Sequence, residues 1–507
     1  MARYSFDLAE KDVIDEIRSP KIYQFNLAMN LALLSNDASV IRRFFTLGVA
    51  KYRKDQWLAM EVADCFLGHY EPGQAFTYFG LIPMVVQGKV NLIASNGFVC
   101  KSDDEIIDKA INKVKEMSQL ERKFVEGAYW ESGIGDFAYR VGYDPKVAPY
   151  PVIDVIEPQH LEVNYSHGRP KSFIVKEVSD IDPSVELCEI HRTDENGFAC
   201  IDYKFRKDGE WVANNDDARI EMCRSKFDKT LNLKSRWFPI KGTLLIYKKN
   251  ESNNMLYKGE RGVPDVQGLF GYEDALSEIA SDLVDAIRKG GIKEYVSDEL
   301  IPQSADGKPM HYDPFRKTII TTKGSSTPGE SQNLIKVTQG QINWEAYTRP
   351  IQNLMSIAIN KAGLSPTTLG ITGLESINSS QESQDAREKP SLRKREICLN
   401  GWRPVLREVL NKWLQLADYL EGLDIVDYTD LIDIQFNEYT NPSLESVTDV
   451  LVRQVAGGIK SMESAVTDLN EGMSKEQVAE EVAKIKADRQ GVITVDKNIE
   501  DNVSDQE

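Results

Sequence analysis

A helical pattern over 271–289, a second over 342–362 and a third opening near 382 follow one another closely, and that succession limits what the chain can become. The first pattern ends in Arg288-Lys289-Gly290-Gly291, where cations complement the helix dipole and glycine supplies a left-handed cap residue. At about 1.5 Å per residue it is roughly 28 Å long. An insert punctuated by Pro302, Gly307, Pro309, Pro314, Gly324, Pro328 and Gly329 follows, with strand candidates at 292–296 and 317–322. Two helices joined in this way predict an antiparallel stem with a small tip. The second helix ends in Gly363-Leu364-Ser365-Pro366, and a polar loop over 367–381 leads straight into a long Arg/Glu-rich helix carrying Trp402-Arg403-Pro404.

Upstream, residues 1–70 read as helices, since 41–50 and 57–67 repeat apolar positions every three to four residues. Residues 88–94 read as a short strand ahead of the turn pair Asn96-Gly97. Residues 103–130 read as helix, with Ile106, Ile107, Ala110, Val114 and Met117 on one stripe. From 137 to 249 the period changes to two. Strands are expected at 138–141, 161–163, 172–175, 201–205 and 244–247, with hairpin connections at His167-Gly168-Arg169-Pro170 and Lys207-Asp208-Gly209-Glu210. The alternation of helical and β-rich blocks predicts an α+β chain. Near the C-terminus, Ser474 with Gln477 makes a capping box for a helix through about Arg489, and 491–507 read as a frayed acidic tail.

Length and charge narrow the class. At 507 residues the chain exceeds the size at which one core keeps growing, so more than one structural region is expected. No apolar run reaches the roughly 18 residues that span a bilayer, and the N-terminus is not a secretory signal. The six cysteines lie far apart, as reduced thiols do. The net charge of −18 is the opposite of what phosphate neutralisation asks of a DNA-gripping protein. A chain of this kind meets DNA, if at all, without holding it.

Three features carry the functional argument. On the first stem helix Asp274, Glu278, Asp282 and Asp285 fall within one arc of about 80°, with Leu276, Ile279, Leu283, Ala286 and Ile287 opposite. This is either an ordinary solvated face or, in a ring of subunits, a stack of acidic rings that repels phosphate. The polar loop offers Thr368, Gly370, Thr372, Gly373, Ser376, Asn378, Ser379, Ser380 and Gln381, either as a surface linker or as a functional loop. The long helix places Trp402, Val405, Leu406, Val409, Leu410, Trp413, Leu414, Ala417 and Leu420 at core spacing. Pro390 and Pro404 should break or kink it.

Signs of catalysis are few. The five histidines form no H-x-x-x-H pair, and Cys188 with His191 lacks a second ligand pair. Gly133-Ile134-Gly135 is not a dinucleotide loop, and no phosphate-binding G-x-x-x-x-G-K-[ST] is present. The expectation is a protein that is not an enzyme and has no catalytic, cofactor-binding or metal-ligating residues.

The ordered series resembles the portal, or head-to-tail connector, protein of tailed double-stranded DNA bacteriophages, of the type common in long-tailed phages of Gram-positive hosts. The likeness rests on Gly262-Val263-Pro264-Asp265 entering the first stem helix and on 362–370 leaving the second. It continues through Ala386-Arg387-Glu388, Trp402-Arg403-Pro404-Val405-Leu406, Gly458-Ile459-Lys460-Ser461 and 474–486. The resemblance implies a helical part of a wing over 1–136, its β-rich part over 137–260, a first stem helix over 261–289 and a clip over 290–340. It further implies a second stem helix over 341–366, a tunnel loop over 367–381, a long kinked helix returning to the wing over 382–440 and a crown over 441–490, before the tail at 491–507.

Functionally, it implies a homo-oligomeric ring of about twelve subunits around a DNA channel, placed at one capsid vertex of the virion and assembled in the host cytoplasm. The implied partners are the major capsid protein, scaffold, the terminase large subunit, adaptor or head-completion proteins, tail proteins and the double-stranded DNA passing through, with no cofactor and no membrane. Asp274, Glu278, Asp282 and Asp285 become channel candidates, and Thr372, Ser376, Asn378, Ser379, Ser380 and Gln381 tunnel-loop candidates. The alternatives are a virion structural or scaffold-binding protein that forms no ring and, further off, an enzyme.

Overall fold

The computed structural model describes residues 20–44, 77–227, 233–250, 257, 260–289, 293–297, 319–322, 335–338, 343–371, 381–437, 451–455, 457, 460–469 and 477–486. They mix helix and sheet. In chain order they include α1 (Pro20–Leu34), α2 (Ala38–Phe44), α3 (Leu81–Ala94), β1 (Phe98–Lys101), α4 (Glu105–Met117) and α5 (Leu120–Gly133). A run of strands follows: β2 (Asp136–Gly142), β3 (Val152–Ile156), β4 (Leu161–Ser166), β5 (Arg169–Val178), β6 (Val185–Thr193), β7 (Phe198–Lys207) and β8 (Glu210–Trp211). Helix α6 (Asp217–Arg224) precedes β9 (Arg236–Lys241) and β10 (Leu245–Lys249). Then come α7 (Phe270–Lys289), β11 (Lys293–Ser297), β12 (Ile319–Thr322), β13 (Ile335–Thr338), α8 (Glu345–Lys361), α9 (Gln381–Glu421), β14 (Asp433–Phe436) and α10 (Met462–Leu469).

The chain divides into two compact units, 1–437 and 438–507. In the smaller unit Val466 of α10 is buried with Val478 and Val482 of the helical stretch 477–486, and Ser461 caps α10 by accepting from Ser464 N at 3.1 Å. The proposed cap Ser474 and the tail 491–507 lie outside the described residues.

In the larger unit, period-two patterning becomes two antiparallel sheets, β10-β2-β3 and β4-β5-β6-β7-β8, with β9 added on β7. The β4–β5 and β7–β8 hairpins turn at His167-Gly168 and Asp208-Gly209, both pairs at positive φ, as a two-residue turn with right-handed twist requires. The strands expected from the sequence form, and β3, β6 and β9 join them. A core of Ala138, Ile156, Leu161, Phe173, Val175 and Leu245 closes between the two sheets.

Three expectations fail locally. Residues 88–94 are the second half of α3, not a strand. Short, largely buried apolar runs of this kind have no clear periodicity that separates helix from strand, and Leu81, Ile82, Val85, Val86, Val90, Leu92 and Ile93 are all buried. The helical stretch 103–130 is two helices, broken where Gln119 takes φ of 50°. Of its expected stripe Ile106 is 80% exposed, and burial centres on Ile111 and Val114.

Lastly, of the break or kink expected at Pro390 and Pro404 the break does not occur, and α9 continues as helix for 41 residues through both. Both prolines are on its exposed side, where water can satisfy the carbonyls they release. Its other side is held by burial of Ser391, Cys398, Leu399, Trp402, Leu406, Val409 and Leu410.

Candidate functional site

Helices α7 and α8 pack on one another, and the insert between them forms a sheet of its own, ordered β12-β11-β13. In it β11 pairs parallel with β12 and antiparallel with β13. The third strand, β13, was not legible from the sequence; only the first two were expected.

Cover over the hairpin is one-sided. Along one edge of α7 the chain 77–82 is fixed by a polar ladder. Glu273 accepts from the N–H groups of Gly80 and Ile82 (both 2.9 Å), Ser277 from Phe79 N (3.1 Å) and Ser281 from Thr77 N (2.9 Å). The pitches match: four helical residues rise about 6.0 Å, and two extended residues about 6.6 Å. Glu273 thereby caps α3, whose own N-terminal residue Gly80 offers no side chain.

This ladder divides the four acidic candidates. Counting about 100° per residue from Glu273, the ladder covers roughly the first 80° of the helix circumference, and Asp274 and Asp285 follow immediately at about 100° and 120°. Both are buried, at 9% and 8% exposure. Glu278 and Asp282, farther round, are exposed. Burial, then the neighbouring carboxylates of Asp282 and Asp274, push the Glu278 carboxyl above its ordinary value. The stripe is thus half wall and half surface.

On the opposite side Leu276 is buried, Ile279, Leu283 and Ala286 are half-buried and Ile287 is 55% exposed. Helix α8 is similar, with Ala358 and Ile359 buried, Ile351, Leu354 and Met355 half-buried, and Trp344 and Ile357 exposed.

Of the loop after α8, Pro366–Leu369 forms a short 3-10 turn closed by Gly370 at φ of 72°. Leu369 packs so closely on Gly88 of α3 that a Cβ there would lie 1.9 Å from its Cδ2. The candidates Thr372, Ser376, Asn378, Ser379 and Ser380 lie outside the described residues, and Gln381 is the first residue of α9.

The hairpin is rooted through 261–265, a strap between two buried charge clusters. In one, Asp136 takes Arg261 (Nε–Oδ2 2.8 Å), Tyr247 Oη (2.8 Å) and Gly262 N (3.1 Å), while Tyr23 bonds both Asp136 and Arg261. Burial would lower the Arg261 value, but Asp136 more than offsets it and holds it above that of a free guanidinium. In the other, Asp265 is bound by Lys89 and by Lys394 (3.0 Å). Burial opposes the Asp265 carboxylate, and the two lysines outweigh it, so its value falls.

Beside this cluster Glu131 accepts from Lys248 Nζ and Trp402 Nε1, both at 2.7 Å. Within the strap, Asn250 donates to Val263 O (2.8 Å) and Asp265 N to Ser132 O (2.9 Å). Gly262 meets Gly135 backbone to backbone; a Cβ on Gly262 would lie 1.8 Å from Gly135 O. The sequence singled out Gly133-Ile134-Gly135 and 262–265 separately, and the structure brings them together. The lysine and carboxylate partners carried no local signal, being spread from 89 to 394.

An open cleft of about 600 Å³ lies among β4, β5, the 242–245 turn and α9, with Arg169, Lys171, Thr193, Thr243 and Glu408 in its lining. Thr243 donates its hydroxyl to Leu245 O at 2.8 Å. His191, buried on β6, lies 2.9 Å from Glu189. Among the described residues no group of three His, Cys, Asp or Glu could hold a metal ion, and no helix is long and apolar enough to cross a membrane.

No family model matches the chain, and no curated protein matches it. Among solved structures, a chain of the neck of a native gene transfer agent particle, computed with C12 symmetry, aligns at 11% identity and a TM-score of 0.37, over 78% of this chain and 91% of that one. A chain of the virion of a native gene transfer agent particle aligns at 11% identity and a TM-score of 0.40, over 80% and 96%. Alignments this weak carry no functional conclusion.

Proposed function

We propose that the chain is the repeating subunit of a phage portal: a ring of about twelve copies at one vertex of a capsid, through which double-stranded DNA is packaged and ejected. The observation that carries this reading is the hairpin of α7 and α8. It is firmly rooted in the larger unit and tipped by its own sheet, yet it leaves Ile287, Trp344 and Ile357 exposed and most of its other large apolar side chains half-covered. Large apolar side chains left uncovered along both helices of the hairpin suit a contact with another chain. A head-to-tail contact that closes on itself makes a ring.

On this reading the hairpin is the stem and the sheet β12-β11-β13 the clip, the edge that docks the terminase large subunit during packaging and head-completion and tail proteins afterwards. Capsid protein and scaffold meet the outer body. The subunit acts as a passive conduit rather than an enzyme, and the acidity of the chain suits a bore that must not bind what passes through it.

Native mass spectrometry of the purified full-length chain, with negative-stain averages viewed down the particle axis, tests the reading. Rings of about twelve copies with a central hole are expected. A monomer or dimer unchanged across concentration would overturn it and leave a virion or scaffold-binding protein that forms no ring.

A further inference from the structure

Helix α9 carries a basic stripe. Lys389, Arg393, Arg403 and Arg407 fall within an arc of about 80° on the side of the helix away from Trp402, over a length of roughly 27 Å. The first three are exposed and Arg407 is half-buried. The arc also holds Glu396 and Asn400, and Arg403 donates to Asn400 Oδ1 at 2.8 Å. Among the described residues none of the four cations pairs with a carboxylate, and the buried Nε of Arg407 has no hydrogen-bond partner. In a chain of net charge −18 such a concentration of unpaired cations on one helix face is out of character.

Its complement lies on the same chain. Glu278 and Asp282 are exposed on α7, four residues apart, and among the described residues neither pairs with a cation. Lys389 and Arg393 are also four apart, as are Arg403 and Arg407. Two helices lying side by side would thus present facing charges at the same repeat of about 6 Å.

Resting on the ring reading, we infer that the acidic face of α7 in one copy docks on the basic stripe of α9 in the next. Such a contact is heterologous: the acid and the base are different surfaces of one copy, and each meets the other kind on a neighbour. The arrangement selects the neighbour's orientation as well as its presence, since like charges set opposite one another are strongly disfavoured. Charges at the rim of an interface are screened over about 8 Å at physiological salt, so assembly should weaken as salt rises.

The test is a charge swap in the full-length chain, read by native mass and negative stain at low and at physiological salt. The doubly reversed Glu278→Lys/Asp282→Lys and the doubly reversed Lys389→Glu/Arg393→Glu should each weaken assembly by about tenfold or more. Circular dichroism should be unchanged, because the altered side chains are on the surface. The chain carrying all four reversals should assemble again, since each neighbour then meets its complement with the signs exchanged. Rings that form normally in both double variants, or no rescue in the fourfold variant, would overturn the docking while leaving the ring intact. A wild-type chain that forms no ring would overturn both. Loss of retention on a duplex DNA column in the Lys389→Glu/Arg393→Glu variant, with assembly unaffected, would reassign the stripe to phosphate binding and overturn the docking.

Discussion

At the residue scale, the side chains that fix this fold are charged and buried, and each depends on a partner far away in the chain. Glu189 on β6 shows the consequence for pH. Burial would raise its carboxyl, but His191 and the Arg140 guanidinium outweigh it and hold the value at about 2. Arg140 reaches Glu189 at 2.7 Å and Asp154 at 2.9 Å, tying β2 to β3 and β6. Because the folded value lies below the ordinary 4.5, ionised Glu189 contributes its full stability above that pH, and the contribution is lost as pH falls toward about 2. Urea unfolding at about pH 5 and about pH 3 should therefore show a drop of up to about 2 kcal/mol that Glu189→Gln largely removes. Equal acid sensitivity in both proteins would refute it. Nothing in the local sequence signals such pairs. The hairpin turns within 167–170 and 207–210 were legible because a turn depends on its own residues; Asp136 with Arg261 was not, because the pair closes only when the strap at 261–265 meets β2.

At the element scale, the legible features were those that repeat. The period-two strands and the succession of α7, insert, α8 and α9 could be read directly. Helix α3 could not, because a short, largely buried apolar run looks the same in either conformation. The acidic stripe on α7 was legible as a stripe, but not which part of it would be covered: that depends on the segment 77–82, whose backbone docks on Glu273, Ser277 and Ser281. Serines in a helix interior give no hint of this task. Replacing Ser277 by Ala leaves Phe79 N without its acceptor, at a cost of about 1–3 kcal/mol. The loss should appear as faster hydrogen exchange at 77–82, with the core amides of β6 and β7 unaffected. Unchanged exchange at those positions would show that the ladder does not hold the segment.

At the scale of the whole molecule, the hairpin presents more apolar surface than one chain covers. Ile357 is 52% exposed on α8, so Ile357→Lys should cost the isolated fold little, surface positions usually falling within about 0.5 kcal/mol. The same lysine at an apolar contact between copies would be buried without a partner. The expected outcome is an unchanged melting temperature under monomeric conditions and loss of assembly in native mass spectra. Rings that persist would place Ile357 outside the contact. None of this was readable from periodicity, which marks a residue as apolar without saying whose core it enters.

The strap at 261–265 gives the hairpin a particular mechanical character. Asp265 alone is tied to α3 through Lys89, to α9 through Lys394 and, by its backbone, to the end of α5, while four residues earlier Arg261 is moored to β2. A helix that leaves its body through a bare glycine linker swings like a lever on a pivot. This one is guyed from several directions at its foot, so a force on its far end is shared at once among three helices and a sheet. Torque applied at the tip is therefore delivered to the body as a whole instead of being dissipated at the joint.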